Sequence, residues 1–184
     1  ILVMVPMSPP ILSLFIVTSR PISSRKFSST TMNRASIETW SSFRNLILSI
    51  NSTSFSPKAR NKKEIKYIIV HYTGMQSKRV SIDRLKSKKH KVSCHYLIDR
   101  AGFIARMVGD NSVAWHAGKS RWKNLINLNE RSIGIELVNK GHKFGYEKFS
   151  KKQINSLVKL CLKLKAKYKI KKNNILGHSD IAPL

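Results

Sequence analysis

The sequence predicts an α/β domain built on a mixed central β-sheet flanked by helices. Three observations carry that reading. Short β-rich runs recur between polar turns, at 65–72, 93–100, 103–108, 132–139 and 174–178. Two of them, "SCHYLIDR" and "FIARMV", are separated by only Ala101-Gly102, the spacing of an antiparallel hairpin. One long segment, 150–170, repeats Ile154, Leu157, Val158, Cys161, Leu164 and Tyr168 at helical spacing. Strands, a hairpin and a long helix together call for a mixed sheet, not a purely parallel one.

Taken in order, residues 1–37 hold no acidic residue, the first being Glu38. An apolar run, Ile11 to Val17, leads into a Ser/Thr/Arg-rich stretch. The run is far shorter than the ~20 residues needed to cross a bilayer, so no stable membrane span is expected. The composition suits upstream sequence ahead of a start at Met32 first, a targeting segment next, and a membrane anchor last. Residues 38–52 have the pattern of an amphipathic helix, and "SFSPKARNKKE" reads as a linker. Residues 1–54 are therefore expected to be a poorly ordered extension carrying a targeting segment or a helix. Residues 55–184 are expected to be the folded domain, truncated at its C-terminus because the chain stops within a polar loop.

Within that domain, "IKYIIVHY" (65–72) ends at Thr73-Gly74 and reads as a buried strand followed by a turn. "SIDRLKSK" (81–88) is a short helix, and "SVAWHAGKSRW" (112–122) is loop-like. "SIGIELVN" (132–139) is a strand. Ser150 and Gln153 open the long helix with a capping-box pattern, and "NILGH" (174–178) closes as a strand.

The 35 Lys+Arg against 9 Asp+Glu give a formal charge of +26. Such a balance suits an anionic partner, or a lysine-rich surface with no partner at all. The basic residues are dispersed and not interleaved with aromatics, so no nucleic acid is expected. Cys94 and Cys161 make no disulfide framework. Nothing in the sequence speaks to oligomeric state.

The chemistry concentrates in few residues. His71 closes one strand and His178 another, at ends where loops build sites on a rigid frame. Neutral imidazoles suit Zn²⁺, yet a catalytic zinc keeps three protein ligands, so this pair is one short. A structural role for each histidine stays open. Glu136 sits between Ile135 and Leu137 and shares a strand face with Gly134 and Val138. A carboxylate in so apolar a strand is paired, metal-associated or poised as a base, unless that face meets solvent.

"YIIVHYTGM", "SCHYLIDRAGFIARMV", "AWHAGKSRW", "NERSIGIELVN" and "ILGHSDIAP" together resemble the zinc-dependent N-acetylmuramoyl-L-alanine amidases. That group includes AmpD-like enzymes, a phage lysozyme-amidase and the peptidoglycan-recognition proteins. The resemblance runs from about residue 55 to the end. It implies that His71 and His178 are metal ligands for Zn²⁺ and that Glu136 is catalytic. It implies that Trp115 and His116 lie on a substrate-binding loop. Cys94 falls where other branches place a catalytic tyrosine, which fits the branch that relies on the glutamate. The third ligand and a neighbouring lysine are implied to lie beyond Leu184, and Asp180 does not match that ligand. His95 reads as a packing or supporting residue, His90 and His142 as solvated, and Trp122 as either a sugar-stacking wall or a loop anchor. The implied activity is hydrolysis of the amide between N-acetylmuramic acid, or its anhydro form, and L-alanine in peptidoglycan or muropeptides. The alternative is a truncated, catalytically impaired peptidoglycan-binding module. A bacterial-type cytoplasm and a cell envelope remain equally open as locations.

Overall fold

The computed structural model describes residues 47–182. Its elements run β1 (Ile47–Ser49), β2 (Ser56–Ala59), β3 (Tyr67–Tyr72), α1 (Lys78–Lys86), β4 (Tyr96–Ile98), β5 (Ile104–Arg106), β6 (Ser112–Val113), β7 (Arg121–Trp122), β8 (Leu125–Ile126), β9 (Ser132–Leu137), α2 (Lys151–Tyr168), β10 (Ile175–Gly177) and α3 (His178–Ile181). Among the described residues one sheet holds six strands in the order β1-β5-β4-β9-β3-β10. The β4–β5 hairpin is antiparallel, and the other pairs in this sheet are parallel. The sheet is therefore mixed and flanked by helices, as the sequence predicts.

The N-terminal boundary differs from expectation. The helix expected over 38–52 is in its described part a strand, since Ile47–Ser49 pairs in parallel with Ile104–Arg106. Residues 38–46 lie outside the described residues, as does the expected targeting segment. Ile50 and Ser52 extend the pairing through bonds to the carbonyls of Arg106 and Met107. The apolar spacing of Leu46, Ile47 and Ile50 fits a helix as well as a strand, and the open edge of β5 decides the outcome. The folded part thus begins ahead of residue 55. The expected linker is also structured: β2 pairs with β6, and Arg60 is buried.

The two faces of the sheet are covered differently. α2 buries Gln153, Leu157, Leu160, Cys161, Leu164 and Tyr168. Leu157, Cys161, Leu164 and Tyr168 are in the stripe its periodicity predicts, whereas Ile154 and Val158 are only half-buried and Gln153 and Leu160 are buried beside them. Ser150 caps its first turn by accepting from the Gln153 N–H. The Gln153 amide then donates to the carbonyls of Ile98 and Val138, tying the helix to two strand ends. Farther along, Tyr96 and Tyr168 both donate to the Asp110 carboxylate, which Lys167 also meets at 2.7 Å. On the opposite face, Leu85 of α1 packs with Cys94, Leu97, Ala105, Met107 and Val138. Ile69, Ala117, Leu128, Leu176 and Ile181 form a second cluster there. Between those two apolar patches lies a polar strip. No helix among the described residues is long and apolar enough to cross a membrane.

The hairpin turn carries a backbone constraint that a glycine must meet. Gly102 has φ +87°, and a Cβ there would lie 2.8 Å from the Lys152 carbonyl oxygen of α2. Gly118 has φ +59° with open space around the same position. Gly118→Ala should cost about 1 kcal/mol for the left-handed conformation alone. Gly102→Ala adds a collision with fixed backbone and should cost about 3 kcal/mol or more. Urea unfolding of the two variants measures the difference, and equal midpoints would refute it.

Candidate functional site

The polar strip follows from strand register. β3 pairs with β9 so that His71 stands beside Glu136, and β4 pairs with β9 so that Leu97 stands on the other side of it. β10 pairs with β3 up to Gly177 opposite Val70, so His178 follows at the level of His71. Parallel neighbours in register present side chains on one face. The two strand-end histidines accordingly converge, with His178 Nδ1 3.1 Å from His71 Nδ1. His71 is fully buried and His178 half-buried. Burial, and then the proximity of His178, hold the His71 imidazole well below the usual histidine range. Both rings are therefore neutral near pH 7 and carry an unshared pair, as a metal ligand must.

His116 sits closer to this pair than the sequence suggests. Its Nδ1 lies 2.9 Å from His71 Nε2, and its Nε2 lies 3.2 Å from Ser132 Oγ. The ring is 6% exposed and stands directly over Gly134, where a Cβ would come within 2.3 Å of it. Asn129 Oδ1 accepts from the backbone N–H groups of His116 and Ala117, fixing the loop that carries the ring. Behind it His95 is buried among its own partners. Its Nδ1 accepts from the Gly134 N–H, and its Nε2 lies 3.1 Å from the Ser112 carbonyl. Burial, and then the Arg60 charge beside it, push His95 down to about 3. Arg60 donates to the carbonyls of Asp110, Asn129, Glu130 and Ser132, so it ties the loop before β9 to the loop before β6.

Glu136 is 3% exposed, and its Oε2 has no hydrogen-bond partner among the described residues. Burial raises its carboxyl to about 8. Cys94, buried against the Glu136 backbone, has its thiol raised well above the ordinary range by the same burial. An open cleft of about 760 Å³ runs over the strip, lined in part by Glu136, His116, His178, Trp115, Lys91 and Lys119. Trp122 instead packs on the apolar cluster around Leu128. Asp180 is exposed and accepts from the Gly177 N–H. Outside the strip, His142 stacks on Tyr146, and His90 is exposed.

Sequence reasoning missed Arg60, Asn129, Ser132 and Gly134. Gly134 alone carried a readable signal, because a glycine inside a buried strand marks a close approach by another group. Among the described residues, no three His, Cys, Asp or Glu side chains are arranged to hold a metal ion together.

The stretch that carries these strand-end imidazoles and the buried carboxylate is matched in sequence by a family model. That model, described as N-acetylmuramoyl-L-alanine amidase, matches residues 61–183, and the chain belongs to this family. The chain is 36% identical over 131 residues to N-acetylmuramoyl-L-alanine amidase AmiD of Escherichia coli, covering 65% of this chain and 46% of that protein. It is 32% identical over 144 residues to 1,6-anhydro-N-acetylmuramyl-L-alanine amidase AmpD of Haemophilus influenzae, covering 68% of this chain and 76% of that one. Among solved structures it resembles the complex of E. coli AmiD with the substrate anhydro-N-acetylmuramic acid-L-Ala-D-gamma-Glu-L-Lys. The TM-score is 0.59 at 34% identity, covering 70% of this chain and 52% of that chain. The chain thus spans about half the length of AmiD.

The raised Glu136 carboxyl has a measurable consequence. The folded chain holds the proton more tightly than the unfolded chain does, so this group's stabilising contribution is complete below about pH 4.5. It is lost as pH rises through about 8. In chelator-treated protein, Glu136→Gln should abolish that loss and leave the variant more stable than the parent at pH 8, by a few kcal/mol. Urea midpoints at pH 5 and pH 8 test this. Because the depressed buried histidines make parent and variant alike gain stability over that range, the readout is the parent-to-variant difference, and one that is the same at both pH values would overturn it.

Proposed function

We propose that this chain hydrolyses the amide bond between N-acetylmuramic acid, or its anhydro form, and L-alanine in peptidoglycan or muropeptides. In this reading His71 and His178 hold a zinc ion, and Glu136 is the general base. The observation that carries it is the pair of Nδ1 atoms 3.1 Å apart, one of them on the strand next to a buried Glu136 whose Oε2 is unpartnered among the described residues. Zinc–nitrogen bonds of about 2.0–2.1 Å put two tetrahedral ligands roughly 3.3 Å apart, so the pair fits with a small outward adjustment. The third ligand implied by the family resemblance would complete the set.

When bound, the ion supplies polarisation of the scissile carbonyl and a more acidic attacking water. Glu136 supplies the proton transfers. Its Oε2 is uncommitted, so once the carboxyl is ionised, as a bound cation would favour, it can accept a proton from the attacking water. Its dry setting favours the protonated form, so the proton is retained until the leaving L-alanine amine takes it. The β3, β9 and β10 frame holds the imidazoles and the carboxylate at fixed separation, which removes reorganisation from the reaction. Trp115 offers an aromatic wall to the sugar. Lys91 and Lys119 place positive charge along the cleft, suiting the carboxylates of a peptide stem such as the one carried by the AmiD substrate.

Incubation with a muramoyl or anhydro-muramoyl peptide, followed by mass spectrometry, tests the reading. Free L-Ala-peptide should appear, disappear with chelator and return with zinc. Glu136→Gln should lower kcat by about 10²–10⁴ while zinc affinity stays within a few-fold. Turnover indifferent to chelator, or to Glu136→Gln, would refute the assignment. Retention of the muropeptide without release of peptide would favour a binding module instead.

A further inference from the structure

We infer that His116 is a positioning residue which, with Ser132, fixes the tautomer of His71 and turns the His71 Nδ1 lone pair toward His178. The purpose of this device rests on the proposed metal site, but its geometry does not.

The direction of the relay follows from one fixed acceptor. Ser132 Oγ lies 2.6 Å from the Leu128 carbonyl oxygen, which can only accept. The single hydroxyl proton is therefore spent there. Ser132 Oγ must then accept from His116 Nε2, 3.2 Å away, so the His116 proton sits on Nε2. A neutral imidazole has one N–H, which leaves His116 Nδ1 as an acceptor. Its neighbour at 2.9 Å is His71 Nε2, which must carry the His71 proton. His71 Nδ1 is left bare, and it faces His178 Nδ1. Every step is forced by the preceding one, back to a backbone carbonyl that cannot change its role.

Three features of "NERSIG" serve this arrangement. Asn129 anchors the backbone of His116 through two hydrogen bonds. Ser132 ends the relay. Gly134 leaves the space the ring fills, where any side chain would collide with it. Both ring nitrogens of His116 are engaged within the protein, so its substrate-facing part is limited to a ring edge at the cleft. Supporting partners of this kind usually decide which ring nitrogen of a ligand histidine is free to bind metal, and their loss typically costs 10–100-fold in affinity.

The test uses the full chain, ¹⁵N-labelled and freed of metal by chelator. Multiple-bond ¹H–¹⁵N spectra report which nitrogen of His71 carries its proton. The parent should show the proton on Nε2. His116→Leu removes the acceptor and should give a mixture of tautomers, with zinc affinity reduced about 10–100-fold in competition titrations. His116→Asn keeps an acceptor near the Nδ1 position and should recover most of both readouts. Should His116→Leu fail to fold, Ser132→Ala deletes only the hydroxyl and carries the same comparison. A parent with its His71 proton on Nδ1, or variants that leave tautomer and affinity unchanged, would overturn the inference. A parent that shows the expected tautomer, with tautomer loss in the variants but no zinc binding, would uphold the relay and sink the metal reading.

Discussion

The site depends on one constraint, the parallel register of β3 with β9 and β10. Because side chains alternate along a strand, a slip of one residue would send His71 and Glu136 to the face covered by α2. There they would meet an apolar helix stripe with no cleft. Several independent contacts oppose such a slip. Gln153 reads the carbonyls of Ile98 and Val138 together, and Thr73 exchanges hydrogen bonds with Asn139 across the ends of β3 and β9. Arg60 grips the segment leading into β9 through three carbonyls. Each of these is a polar contact made in a buried setting, where leaving it unmade is expensive. Register is thereby set by directional bonds as well as by the apolar pattern.

The elements with strong periodicity were legible from the sequence. "YIIVHY", "SIGIELV" and the helix stripe of α2 are buried along their length or on one face, and their patterns say so. The hairpin was legible because its turn is short. The strand at Ile47–Ser49 was not, since three residues carry too little period to separate strand from helix, and a neighbouring edge decides. Arg60 was not legible either. A lone arginine in a polar, proline-containing stretch looks solvated, and only the converging carbonyls of two loops make it a buried hub. Pattern reports burial of apolar groups; it carries little information on polar groups buried by their partners.

The same limit explains the site. His71, His178 and Glu136 could be singled out because each ends or interrupts an apolar run. His116 lies in a loop, and its closeness to His71 arises from the missing side chain at Gly134 on another strand. No local pattern records a contact across 45 residues of sequence. The glycine recorded that something approaches, without naming what.

Electrostatics then shape what this strip can accept. His71, His95 and His116 lie in a dry interior, and His71 and His116 are each further disfavoured from protonation by a neighbouring imidazole. The Arg60 guanidinium adds its own opposition at His95. The interior end of the cluster is thus closed to additional positive charge. At the cleft end the order reverses: Glu136 Oε2 has no partner among the described residues, and the His71 and His178 Nδ1 atoms face each other where His178 lines the cleft. A neutral N–H···N bond between those two nitrogens carries no net charge and so offers the carboxylate no counter-charge. A divalent cation taken from the cleft would satisfy both nitrogens and lower the cost of ionising Glu136 in the same step. Ionised without a cation, the buried Glu136 carboxylate costs the chain stability; under the proposed metal-assisted hydrolysis the same group would become useful, a trade of stability for function.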